Sequence, residues 1–278
     1  MLTLHIGLPK TGTTFLQRQV FAGTEDPVFL HRRQGPEAEA LCRDLKRYVK
    51  SGPLLATVYR RRIRRRLSAL TDAGSIPRFL VSDENIAMSA GGFWQGRGPE
   101  PLRVAARIAE ILPRGQVRVV IGIRRQDQWL ASRYAESSRR LGGLGQADFD
   151  RRMREIATAA ILKGPLAWLD YGAVHKCFSK VLGPGNVKLV SLERIVAAPA
   201  AAIRELGEFT GAAPPEGSTA PRPSRSGRNR LSKGPNTWRM RKGGGALHLS
   251  PEVEAALLDR FAPSNDALCQ VLPDVFGS

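Results

Sequence analysis

The chain is poor in acidic residues, has very few cysteines and lacks any long apolar run. Only three cysteines occur in 278 residues, Cys42, Cys177 and Cys269. They are odd in number and far apart, which excludes a disulfide framework and a closely spaced metal site and fits a reducing compartment. No stretch of about 18 apolar residues is present that could span a bilayer, and the N-terminus has no basic-then-apolar leader pattern. These absences predict a soluble, cytoplasmic protein. Acid is the scarcest charge: Asp and Glu number 25 against 43 Lys and Arg, a formal net charge of +18. Such an excess creates a positive field that concentrates anions. Nucleic acid, an anionic membrane surface, an acidic glycan and a phosphorylated nucleotide all satisfy it, and charge alone does not choose. No zinc spacing, basic heptad region or aromatic RNA-binding signature accompanies the charge, so a basic nucleic-acid-binding protein is the weaker alternative.

Hydrophobic residues make up 42% and charged residues 24% of the chain, enough apolar material for a sizeable core. One domain over residues 1–278, without internal repeats, is expected. Short apolar runs predict strands at Leu2–Gly7, Arg78–Ser82, Val117–Ile123 and Val187–Ser191. Apolar residues at three- and four-residue spacing predict helices over Leu54–Leu70, Pro99–Leu112, Gln126–Leu141, Asp148–Leu162, Tyr171–Leu182 and Leu192–Thr210. A last helix over Pro251–Leu272 is expected to be interrupted at Pro263. The alternation predicts an α/β fold: a three-layer sandwich with a mostly parallel sheet and a P-loop-like nucleotide-binding core.

Two regions break this pattern. Tyr59–Leu67 (YRRRIRRRL) carries six arginines, Arg60 to Arg62 and Arg64 to Arg66, which read either as a solvated helix face or as a docking surface for an acidic acceptor, membrane or partner. Residues at about 212–245 form a basic Pro/Gly-rich stretch, too long and polar for an ordinary connector.

The first strand runs into Gly7-Leu8-Pro9-Lys10-Thr11-Gly12-Thr13-Thr14 and then a helix. Backbone N–H groups at such a junction suit a phosphate. The loop has the Gly-x-x-x-x-Gly frame of a nucleotide-triphosphate P-loop, yet Thr13 stands where that motif needs lysine, and the lysine is displaced to Lys10. The displacement speaks against a P-loop small-molecule kinase, the alternative within the enzyme class. Pro9-Lys10-Thr11-Gly12-Thr13-Thr14 resembles the first signature of the PAPS-dependent sulfotransferases, which use 3′-phosphoadenosine 5′-phosphosulfate (PAPS) as donor. The resemblance, to bacterial and carbohydrate-type members, implies a sulfuryl transfer by in-line displacement to a hydroxyl or amine, with adenosine 3′,5′-bisphosphate as product and no metal. It implies that Lys10 polarises the bridging oxygen as a catalytic residue while Thr11, Gly12, Thr13 and Thr14 bind the 5′-phosphosulfate. Phe15 follows where cytosolic members often carry a tryptophan against adenine, although a core phenylalanine fits equally.

The third predicted strand leads into Arg124-Arg125-Gln126-Asp127-Gln128-Trp129-Leu130-Ala131-Ser132-Arg133. An arginine at a strand end and a serine about two helical turns later converge on one anion. In the resembling family such a pair holds the 3′-phosphate, which implies Arg124 and Ser132, with Arg125 and Arg133 as alternatives. Arg241-Lys242-Gly243 is similar to a late 3′-phosphate-binding Arg-Lys-Gly of that family, and Arg228 or Arg230 could do the same work. Diffuse similarity continues at Leu169–Tyr171, Val187–Glu193 and Phe261–Asn265. The implied catalytic base is Glu84, in Ser82-Asp83-Glu84-Asn85 at the end of the second predicted strand; a cap for exposed helical N–H groups is its alternative role. Asp83 and a poorly placed His31 are the substitutes, and His5 reads as a core residue. The implied partners are the nucleotide donor and an acceptor, small molecule or carbohydrate, that the sequence does not identify.

Overall fold

In the computed structural model of the chain, residues 1–22, 24–70, 77–88, 92–213, 232–234, 236–241 and 245–276 are described. Strand β1 (Leu2–His5) leads through the Gly7–Gly12 loop into α1 (Thr13–Phe15), which widens into a π-helical turn over Leu16–Val20. β2 (Val28–His31), α2 (Pro36–Lys50), α3 (Pro53–Ala69) and β3 (Phe79–Ser82) follow. Then come α4 (Pro101–Ala109), β4 (Val117–Ile123), α5 (Gln126–Ser137), α6 (Gln146–Thr158), α7 (Tyr171–Leu182), β5 (Val187–Ser191), α8 (Leu192–Ala197) and α9 (Pro199–Thr210). Three short strands, β6 (Ser232–Gly234), β7 (Thr237–Arg239) and β8 (Ala246–His248), precede α10 (Pro251–Val271).

The main sheet has the order β2-β3-β1-β4-β5, and every pairing in it is parallel. Strand alternation sorts its side chains into two cores. Leu2, Leu4, Phe79, Val81, Val119 and Ile121 face Leu41 and Leu45 of α2, Ile63 of α3, Val104 of α4, Leu130 of α5 and Leu257 of α10. Leu80, Val120 and Val190 face Leu16 and Val20 of the π turn, Ile195 of α8, and Ile203 and Leu206 of α9. The sheet thus lies between two helical layers, the three-layer α/β arrangement expected. Strands β2 and β3 lie on one side of β1, and β4 and β5 on the other, so the order reverses at β1 and β4. Ligands of open parallel sheets sit outside the carboxyl ends at such a reversal.

β4, β5 and α7 have the predicted limits, and the differences elsewhere have physical causes. The stretch Leu192–Thr210 is two helices, because Ala198 precedes Pro199 and takes φ −140°, ψ 67°, outside the helical region that a following proline disfavours. Pro263 does not interrupt α10. Tertiary bonds hold the turn beyond it: Ser264 donates to Asp170 at 2.5 Å and accepts from the Gly172 N–H at 3.0 Å, and Asn265 exchanges hydrogen bonds with Gln126. β2 and α2 are additional to the expected elements; β2 is a four-residue, half-exposed edge strand that leaves little pattern to read. Within the stretch expected to be a loop, β6 and β7 form an antiparallel sheet with β8. Trp238 of β7 is buried in the main core.

On the α1 face of β1, polar residues replace apolar ones. His5 is fully buried, with Nδ1 2.7 Å from Ser82 Oγ, and Gln17 Nε2 donates to the same oxygen at 3.0 Å. Burial, assisted by the charge of His31, pushes the His5 pKa down from 6.5 to about 4. The unfolded chain therefore binds a proton that the folded chain refuses between these values, so stability is lost as pH falls through that window. The full shift corresponds to about 3 kcal/mol. Urea titrations across this range should show the decline in the wild type and a shallower one in His5→Gln; equal slopes would remove His5 as its cause.

Candidate functional site

The carboxyl ends of β1 and β4 touch. Beyond the strand proper, Ile6 N donates to Val120 O at 3.0 Å and Leu8 N to Gly122 O at 2.9 Å. A Cβ on Gly7 would lie 2.6 Å from the Gly122 nitrogen, and one on Gly122 would lie 2.6 Å from Thr11 Oγ1. The Thr11 hydroxyl donates to Leu8 O at 2.6 Å inside the loop. Its side chain is therefore part of the loop's own framework. Lys10 and Gly12 both adopt positive φ, 72° and 82°, a conformation that costs glycine little but strains lysine. Thr13 is buried and Thr14 exposed at the start of the helix, while half-buried Phe15 packs against the core on the α9 face.

α5 holds this loop from the other side. Trp129 Nε1 donates to Pro9 O at 2.6 Å, and both residues are buried. Seven residues on, Glu136 Oε1 lies 3.2 Å from Lys10 Nζ, and its other oxygen accepts from Arg133 at 2.8 Å. Burial pushes the Glu136 carboxyl up, but the Lys10 and Arg133 cations prevail and hold it below its usual range. Lys10 is itself lowered by burial against the pull of Glu136, and the Arg241 and Arg133 cations lower it further. Arg241 reaches this neighbourhood because its N–H donates to Ser138 Oγ at 2.8 Å, docking the segment after β7 on the end of α5. Lys242 and Gly243, and the alternatives Arg228 and Arg230, lie outside the described residues.

Arg124 and Arg125 have different surroundings. Arg125 forms two hydrogen bonds to Asp127, at 2.8 and 2.7 Å, and a third to Glu254 at 2.8 Å, so its guanidinium is taken up within the fold. Among the described residues Arg124 makes one long contact, 3.5 Å to Gln128, and burial lowers its pKa despite Glu193 and Asp127. The Arg124 backbone is fixed by the Tyr171 hydroxyl, which donates to its carbonyl at 2.6 Å. Ser132 is buried one helical turn beyond Gln128, so Arg124, Gln128 and Ser132 follow one another at four-residue spacing.

At the end of β3, Asp83 is buried and tied down by Lys46 at 3.1 Å, Arg32 at 3.7 Å and the Asn85 amides at 2.9 Å. Glu84 is paired with Arg32 at 3.1 Å. It makes no cap to a helical N–H, the alternative role considered for it, among the described residues. His31 is better placed than expected, because β2 brings it into register with Ser82 at this same edge. Burial and Arg32 lower its pKa, against the opposing charges of Glu84 and Asp83. Sequence reasoning missed Trp129, Glu136 and Arg32 as parts of the site. The seven-residue spacing of Trp129 and Glu136 places them on one helix face, but nothing in the sequence ties that face to Pro9 or Lys10.

The Trp129 bond generates a direct test. Trp129→Phe keeps the aromatic packing but strands the buried Pro9 carbonyl, which should cost about 1–3 kcal/mol in urea denaturation and lower the affinity for inorganic pyrophosphate. Unchanged stability would mean that the loop does not depend on this bond.

No protein-family model and no curated protein matches the chain by sequence. Among solved structures, the chain is similar to a sulfotransferase from Alicyclobacillus acidocaldarius, with 15% identity, 98% of this chain and 95% of that one covered, and a TM-score of 0.51. It is also matched to the sulfotransferase domain of the Synechococcus PCC 7002 olefin synthase, with 13% identity, 76% and 72% coverage and a TM-score of 0.31, too low to carry an argument. At such identity the first likeness speaks to the fold, and the chain has the fold of that sulfotransferase.

Proposed function

We propose that the chain is a sulfotransferase that uses PAPS as donor and a hydroxyl or amine as acceptor. The observation that carries this reading is the Pro9–Thr14 loop with its lysine inside it, set beside Arg124 where the strand order reverses. The residues suit a bisphosphorylated nucleotide. Arg124 is a mostly buried guanidinium without an ion pair among the described residues, and no carboxylate interrupts Gly7–Phe15. When bound, the donor supplies the sulfuryl group and a phosphate that must accept charge. Lys10 presents its ammonium to that charge, and the Thr13 and Thr14 hydroxyls with the loop N–H groups bind the phosphate oxygens. Arg124 and Ser132 hold the 3′-phosphate, with Arg241 as a further cation. Thr11 and Phe15 shape the pocket rather than lend a free hydroxyl or a free ring. Glu84 takes the acceptor proton, oriented by Arg32. The remaining part of the reading is one domain of cytoplasmic type, acting on an acceptor whose chemistry is open.

Calorimetry discriminates this reading from the kinase alternative. Adenosine 3′,5′-bisphosphate should raise the melting temperature, because a ligand of the native state stabilises it by mass action, and ATP with magnesium should do so much less. Arg124→Ala should weaken the bisphosphate by about 1.5–3 kcal/mol and leave a ligand without the 3′-phosphate nearly unaffected. A larger shift with ATP–magnesium would replace the sulfotransferase reading by a kinase. Turnover tests the base: Glu84→Gln keeps the shape but cannot take the proton, so the rate should fall about 10²–10⁴-fold with nucleotide affinity little changed. Near-normal turnover would transfer the role to His31 or Asp83.

A further inference from the structure

The α2–α3 pair carries a surface that the nucleotide reading leaves unused. The two helices pack side by side and are joined by Ser51 and Gly52 alone. The turn is held firmly, since Arg103 donates to the carbonyls of Lys50 at 3.2 Å and Ser51 at 2.8 Å. On the first turns of α3, Leu54 is 88% exposed, Leu55 59% and Val58 51%. Large apolar side chains this exposed and this clustered mark an interaction site.

Beside them lies a pocket of about 430 Å³ lined by Arg43, Lys46, Arg47, Lys50, Ser51, Leu55 and Tyr59. Its lining joins Leu55 and the Tyr59 ring to four cations and contains no carboxylate. Of these cations, Lys46 pairs with Asp83 at 3.1 Å, whereas burial, with the Lys46 ammonium and against the pull of Asp83, lowers the Lys50 pKa.

The arginines of α3 divide into two sets. Arg60 pairs with Glu110, Arg62 and Arg66 with Asp44, and Arg64 donates to the Ile111 and Glu110 carbonyls. Arg61 and Arg65 continue the stripe of Leu54 and Val58 at four- and three-residue spacing and have no hydrogen-bonded or ion-paired side-chain partner among the described residues. The same is true of Arg43, Arg47 and Lys50 on α2.

We propose that this end of the α2–α3 pair docks the protein peripherally on an anionic phospholipid bilayer. Leu54, Leu55 and Val58 enter the acyl boundary, a lipid phosphate sits in the cation-rimmed pocket, and Arg61 and Arg65 lie along the headgroups. An apolar tip within a basic collar matches the layered chemistry of a membrane surface. A nucleic-acid backbone would leave the leucines without an apolar phase. A second copy on the same patch would set Arg43, Arg47, Arg61 and Arg65 against themselves, because a two-fold contact joins like to like. The inference is independent of the reaction proposed above.

The test is co-sedimentation with vesicles of phosphatidylcholine, with and without roughly three parts in ten phosphatidylglycerol, at about 0.1 M salt. The wild type should bind the anionic vesicles at least about tenfold more tightly than the neutral ones, and added salt should weaken it. Leu54→Ser with Leu55→Ser and Val58→Ser should lose at least about tenfold while melting at the wild-type temperature, because these side chains are exposed. Arg61→Glu with Arg65→Glu should lose as much. Arg154→Glu with Arg204→Glu makes the same charge change at exposed positions elsewhere, and should lose no more than about threefold. Equal binding to both vesicles, or none, would overturn the proposal. So would a triple serine variant that binds like the wild type, since that would indicate a polyanion such as nucleic acid. An equal loss in the Arg154 and Arg204 control would reduce the effect to net charge, and a wild-type dimer dissociated by the serine changes would identify a second copy as the occupant.

Discussion

The contact of Gly7 with Gly122 is the constraint from which the site follows. Neither residue has room for a side chain, since the nearest atoms would lie 2.6 Å from an added Cβ in both cases. Hydrogen bonds from Ile6 and Leu8 to β4 therefore continue past the end of β1, and Thr11 folds over Gly122 to close the loop on itself. The loop after β1 and the corner after β4 are thereby held as neighbours, and one helix, α5, serves both. Its Trp129 grips Pro9 while Gln128 meets Arg124. A change at either glycine would separate the loop after β1 from the corner after β4 rather than merely loosen a loop.

Beside the loop, one acid is shared between two cations. Glu136 stands between Lys10 and Arg133, and removal of such a shared carboxylate would leave two largely buried cations facing each other. Arg124 has no equivalent partner among the described residues, although Glu193 and Asp127 act on it from a distance. A buried cation so weakly compensated is costly unless an anion completes it. Lys10 is thus held by an acid while Arg124 is nearly unheld among the described residues, an asymmetry that accords with the proposed roles of a prepositioned cation and an open anion site.

The legible parts of this fold were those with strong local signals. β4, β5 and α7 show their apolar patterns in full, and the loop from Pro9 to Thr14 is contiguous in sequence. What was hidden depends on residues far apart. The edge strand β2 is short and half-exposed, so His31 looked misplaced until pairing with β3 carried it to Ser82. Pro263 reads as a helix breaker locally, yet bonds from Ser264 and Asn265 to residues more than ninety positions away hold the helix through it. The bond from Trp129 to Pro9 spans 120 positions, and no spacing rule announces it.

The basic character of the chain is likewise a set of separate local balances. The inner arginines of α3 satisfy Asp44, Glu37 and Glu110, and so fasten α3 to α2 and α4. Fixing them there turns the remaining positions of the helix, Arg61 and Arg65 among them, toward solvent with the exposed leucines. Lys46 links the two regions, since it lines the pocket at the turn and pairs with Asp83, next to Glu84. Arg32 in turn serves both Asp83 and Glu84.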